Sequence, residues 1–276
     1  MHWLARVGSS LLPVCAALIL PASVCAADET KTNPYVTLQL QKGQVYATVF
    51  SKALEVRGEG FDDYTGRYSG TAAYKVLDPN PDRPEFDLKS PAFDKATYHV
   101  MLTLLEHGRQ NCIEGKCEVD RETSGLTFNP LLWGMPAGEL KVGQTWQLVV
   151  TEPWEIGPQG IETVSIVSLD PATGAATLRR EGNGSGASQD DARKLSIVIK
   201  GRKLEATVTA GASHWSGLTT IQHGMILNDE ILIRRSVTLQ TEAGQFSAEE
   251  TEYTLLNQMP TTGIEWPDVT ASPAKG

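Results

Sequence analysis

One stretch near the C-terminus decides the fold: Ile231-Leu232-Ile233-Arg234-Arg235-Ser236-Val237-Thr238-Leu239-Gln240-Thr241, then Glu242-Ala243-Gly244, then Gln245-Phe246-Ser247-Ala248-Glu249-Glu250-Thr251-Glu252-Tyr253-Thr254-Leu255. Ile231, Ile233, Val237 and Leu239 recur at every second residue, the period of a strand with one buried face. Two such runs flanking a Gly-containing break read as an antiparallel hairpin. With Ala243-Gly244 as a two-residue turn, Arg235 faces Glu252 and Val237 faces Glu250. Arg235 is then a charge on an apolar face, and a charge removed from water needs a partner. The expectation is an Arg235–Glu252 ion pair, inside the covered face or at its mouth.

The same alternation runs outward from this hairpin. Residues 144–151, 162–169, 175–181, 194–200, 203–209 and 217–223 each read as strands. The turns between them are short, which favours sequential antiparallel pairing, because parallel pairs need long crossovers. Upstream, residues 36–41 alternate, Lys42-Gly43 turns, and residues 44–50 return. Further strands are expected within 66–77 and 98–106. Three prolines in residues 78–84 remove ladder donors and make that segment an exposed loop. Gly-Gln precedes an aromatic-containing strand at Gly43, Gly143 and Gly244, a match short enough to be turn chemistry alone.

The predicted fold class is therefore all-β, an antiparallel sequential-strand sandwich or open barrel. Residues 27–128 form an N-terminal β region and residues 144–258 a C-terminal one. The Pro- and Gly-rich residues 129–143 connect them as a candidate boundary between two packed subdomains. Residues 259–276 read as a loosely ordered tail.

The N-terminus has the grammar of a cleavable signal peptide. Arg6 is its basic residue, residues 11–20 form a short apolar run, and Val24-Cys25-Ala26 offers a cleavage site after Ala26. That run is too short and too broken by Pro13 to span a bilayer. A periplasmic or secreted location follows as an expectation, with roughly 250 residues left to build a core. The formal charge of −9 disfavours nucleic acid, whose backbone is met by clustered Lys and Arg. An outer-membrane barrel would carry aromatic girdles, and aromatic residues make up only 7% of this chain. The protein is read as not membrane-spanning.

Cys15 and Cys25 leave with the signal peptide, and Cys112 and Cys117 remain. With a turn-like Ile113-Glu114-Gly115-Lys116 between them, they read as a disulfide clipping a hairpin in an oxidising compartment. No metal-ligand pair and no cofactor motif is present. The glycines of residues 182–186 lack the helix and the Lys-Ser/Thr pair of a phosphate loop.

His214 and His223 flank a strand-like run with Trp215 between them and Asp229-Glu230 downstream. A carboxylate on one of these histidines, with Ser213 or Ser216 as nucleophile, would make a hydrolytic site. Glu152 and Glu155 bracket Trp154, a pairing suited to a sugar. The candidate ligand-binding residues are thus Trp154, His214, Trp215, His223, Arg235 and Glu252. Two function classes lead. One is a non-catalytic envelope or secreted binding protein for a small apolar or glycan ligand, and the other a secreted glycan or ester hydrolase or lyase. A structural or assembly protein of the envelope is a third. The protein partner is left unknown.

Overall fold

The computed structural model describes residues 33–91, 97–105, 108–120, 125–150, 160–184 and 193–266. Residues 1–26, read above as a signal peptide, and His107, Glu152, Trp154, Glu155 and the last ten residues lie outside them. Thirteen strands form one antiparallel sheet among the described residues. They are β1 (Val45–Gly58), β2 (Tyr64–Asp78), β3 (Glu85–Lys89), β4 (Tyr98–Leu105), β5 (Gly108–Ile113), β6 (Lys116–Asp120) and β7 (Thr145–Val150). Then follow β8 (Gly160–Asp170), β9 (Ala175–Gly184), β10 (Arg193–Ile199), β11 (Arg202–Gln222), β12 (Met225–Thr241) and β13 (Gly244–Thr261).

The spatial order is β6-β5-β4-β3-β2-β1-β13-β12-β11-β9-β8-β7, with β10 on the first half of β11. Neighbours in sequence are neighbours in space almost throughout, as short turns require. The exceptions are β1 beside β13, the first strand beside the last; β9 beside β11, with β10 off that path; and β6 and β7, which are its two ends. The sheet is not closed. At one end a single bridge, with the Asp62 amide donating to the Val198 carbonyl at 2.8 Å, joins the loop after β1 to β10. No helix among the described residues is long and apolar enough to cross a membrane.

Three differences from the sequence reading have physical causes. The β12–β13 turn is Glu242-Ala243, with Thr241 opposite Gly244, so Arg235 pairs with Glu250 and Ile233 with Glu252. The register is displaced by two residues, which preserves the face of every side chain. Residues 203–209 and 217–223 belong to a single strand, β11, continued through a bulge at Gly211-Ala212. A bulge adds a residue and bends the strand without ending it. Residues 36–41 lie outside the ladder: Val36 and Thr37 belong to a turn, their amides donating to the Asn33 carbonyl, and Leu38 and Leu40 pack into a core while the Gln39 amide donates to the His223 carbonyl at 3.0 Å.

Mirror-image turns close three hairpins, at Glu114-Gly115, Lys200-Gly201 and His223-Gly224, each with positive φ at both residues. Such turns match the twist of the flanking strands. Cys112 and Cys117 face each other across the β5–β6 hairpin and are disulfide-bonded. Gly43 and Gly143 sit in identical frames. In the first, the Gly43 amide donates to Val76, Gln44 to Gln41, and Val76 back to Gln44. In the second, Gly143 donates to Ile166, Gln144 to Lys141, and Ile166 back to Gln144.

Apolar side chains gather in three larger clusters, and a fourth, smaller one holds Val150, Trp215, Ile231 and Ile233. One cluster fills the end closed by the Asp62 bridge, with Val56, Leu195, Ile197, Ala206, Val237 and Leu239. A second joins Phe128, Trp133, Val164, Ile166, Leu178 and Ile221. The third lies on β1 to β4, around Tyr46, Val76, Phe86 and Val100. Residues 129–143 contribute Trp133 and Leu140 to the second cluster, while Leu131 and Val142 stay exposed.

Candidate functional site

The first and third clusters share β1 and β2, and between them the covered face is not filled. Leu54 and Tyr64 pack on the first cluster, Ala72 and Tyr74 on the third. The core-facing positions of β2 between them are Gly66, Tyr68 and Gly70, and Lys52 lies opposite Tyr68 on β1. Strand parity places Tyr68 on the core side, yet it is 62% exposed. Its ring lies along its own strand over Gly70. Phe50 flanks it, with ring centroids 5.8 Å apart and planes tilted by 57°. The result is an aromatic floor in an opening between two cores.

Beside that floor runs a relay of charges. Lys52 Nζ lies 2.6 Å from Glu252 Oε1, and Arg235 Nη2 donates to Glu252 Oε2 at 2.9 Å. Arg235 Nε lies 2.9 Å from Glu250 Oε1, and Arg193 pairs with the other oxygen of Glu250. The Arg235 Nε and Glu250 Oε1 atoms are close without a well-directed hydrogen bond, so their contact is chiefly Coulombic. Three cations thus meet two carboxylates, leaving one positive charge in excess. Glu250 and Glu252 are buried, while Lys52 and Arg193 at the two ends are about one-third exposed, at 33% and 38% of the side chain. Burial pushes Arg235 below its usual value, with Glu252 opposing. Burial and then the neighbouring Arg235 do the same to Arg193.

A second polar group is sealed. Arg180 Nε donates to Glu162 Oε1 at 3.0 Å and its Nη1 to Asp229 Oδ1 at 3.2 Å. Trp215 Nε1 donates to Glu162 Oε2 at 2.7 Å, and Thr219 Oγ1 to Asp229 Oδ1 at 2.6 Å. The guanidinium stacks 4.4 Å from the Trp133 ring centroid. Burial alone would lower Arg180, but the two carboxylates more than reverse it and it stands above its usual value.

The sequence candidates fall in different places. Arg235 and Glu252 meet in the relay. Trp215 is fully buried and rests on Gly182, in the sealed group. His214 faces outward, its Nδ1 3.0 Å from Asn183 Oδ1. It lines an open depression of about 710 Å³ with Glu55, Arg57, Arg234, Glu249 and Thr251. His223 is the first residue of a hairpin turn, and its Nδ1 lies 3.0 Å from the Pro34 carbonyl oxygen. Eight strand residues lie between the two histidines, which puts them on the order of 30 Å apart at the rise of an extended chain. Of the two carboxylates considered for them, Asp229 is held by Arg180 and Thr219, and Glu230 lies opposite Leu218 and meets the Tyr253 hydroxyl. Among the described residues no group of His, Cys, Asp and Glu side chains could hold a metal ion.

Sequence reasoning missed Tyr68, Lys52 and Arg193, and set Glu250 opposite Val237, where the structure sets it opposite Arg235. A signal was present: Tyr64-x-Gly66-x-Tyr68-x-Gly70 is a period-two pattern with glycine in place of core side chains. The carboxylate partners of Arg180 carried no such signal, since they come from two other strands, β8 and β12.

No family model matches the chain. No curated protein matches it either. Among solved structures, it is similar to the crystal structure of Neisserial surface protein A, at 8% identity and a TM-score of 0.20, over 77% of this chain and 96% of that one. Those values carry no inference about shared function.

Proposed function

We propose that this chain is exported and acts as a non-catalytic binding protein for a glycan, held on the core-facing side of β1 and β2. The observation that carries the reading is Tyr68. It is 62% exposed on the face of the sheet that packs cores at either end, with its ring over Gly70 and Phe50 alongside. An aromatic face framed by fixed polar donors suits a sugar ring, whose C–H face is apolar and whose edge is polar.

An apolar ligand finds less support. The apolar side chains near the opening are gathered into filled clusters, and the 710 Å³ depression is walled largely by charged and polar residues. A hydrolytic role for the histidines lacks a base-orienting carboxylate, since His214 meets Asn183 and His223 meets a backbone carbonyl. Export rests on residues 1–26 and is in keeping with the Cys112–Cys117 disulfide. It requires the isolated protein to begin at Ala27.

The test is a calorimetric titration against a panel of neutral and acidic oligosaccharides. Tyr68→Ala should weaken binding by about tenfold or more, the equivalent of roughly 1.4 kcal/mol, with little change in the unfolding midpoint. Binding unaffected by Tyr68→Ala, or no binding anywhere in the panel, would sink the reading.

A further inference from the structure

We infer that the glycan is acidic, with a sugar carboxylate taken by Lys52. This rests on the glycan reading above and adds the charge of the ligand to it. Lys52 and Tyr68 are cross-strand partners on the same face of β1 and β2, so their Cβ atoms are about 5 Å apart. A sugar ring on Tyr68 therefore lies within reach of the Lys52 ammonium. That ammonium has three donors and lies 2.6 Å from Glu252 Oε1 in an ion pair without a well-directed hydrogen bond. The side chain is 33% exposed, so its donors can meet a ligand.

The charge balance points the same way. Glu252 is also held by Arg235, and Glu250 by Arg235 and Arg193. Each buried carboxylate therefore contacts two cations, and the relay keeps one positive charge in excess. A ligand carboxylate at Lys52 brings the relay to neutrality without displacing either glutamate. The chain's overall charge of −9 does not oppose this at short range, because charges beyond a Debye length of about 8 Å are largely screened.

The probes are trigalacturonate and its methyl ester, which has the same rings without the charge, titrated into the full protein as isolated. The expected result is acid binding at least about tenfold tighter than ester, as a charge-assisted hydrogen bond provides. Lys52→Met should bring the two affinities together, and Lys52→Arg should keep the preference. Circular dichroism on both variants checks that the sheet is intact. Equal affinity for acid and ester in the wild type, or a preference that survives in folded Lys52→Met, overturns the inference while leaving glycan binding standing. If Lys52→Met does not fold, Lys52→Gln is the second variant: loss of the preference in folded Lys52→Gln supports the inference, and its persistence overturns it. Failure of every sugar in the wider panel would remove the glycan reading and this inference together.

Discussion

Arg180 sits between Glu162 and Asp229 with no exposed surface. Its guanidinium exchanges water for two carboxylates and the face of Trp133. A buried pair contributes little net stability when intact, because desolvation offsets attraction, but breaking one leaves a buried charge uncompensated. Arg180→Leu is therefore expected to cost about 3–5 kcal/mol, read from urea unfolding. Glu162→Gln, which keeps an oxygen for the Trp215 indole, should cost less, about 1–3 kcal/mol. Arg180→Leu with wild-type stability would mean the sealed group does not hold the β8, β9 and β12 strands together. The relay at Lys52 differs in kind: its end cations reach solvent, so replacing them leaves the buried glutamates still paired with Arg235.

At the scale of the element, two glycines separate space from backbone conformation. A Cβ at Gly182 on β9 would overlap the Trp215 indole, whereas one at Gly43 would meet nothing, although φ there is +84°. Gly182→Ala should cost about 1–3 kcal/mol by overpacking and shift tryptophan emission as Trp215 moves. Gly43→Ala should cost about 1–2 kcal/mol from the left-handed backbone alone, with emission unchanged. Thermal melts read with fluorescence distinguish them, and unchanged emission in Gly182→Ala would contradict the close packing. The strands were legible because polar and apolar residues alternate locally. The β12–β13 turn slipped by two because Glu242-Ala243 and Ala243-Gly244 both suit a tight turn, and parity survived because the slip was even. β11 was cut in two because Gly211 and Ala212 look like a break and form a bulge instead. The site was legible only as Arg235 with Glu252. Tyr68 was invisible because exposure on a core-facing position depends on what the rest of the sheet leaves unfilled.

At the scale of the molecule, the pairing of β1 with β13 was not readable, since no local pattern encodes a partner some 200 residues away. Thr48 Oγ1 and Gln258 Oε1, 3.3 Å apart, are separated by 210 positions. Closing so long a loop costs entropy before any contact repays it, and non-local β pairing is slow. Refolding from urea is expected on the order of seconds, with amides of β1 and β13 among the last protected in pulsed hydrogen exchange. Sub-millisecond refolding, or early protection of β1, would contradict this order.

The matched frames at Gly43 and Gly143 bear on how such a sheet can change over generations. Each frame binds only the second strand of its own hairpin, β2 for one and β8 for the other. A unit that satisfies its own backbone can be copied or lengthened without rewriting its neighbours. The sheet can thus gain or shed hairpins at its β6 and β7 margins, while the strands bearing Lys52, Tyr68 and Arg235 stay as they are.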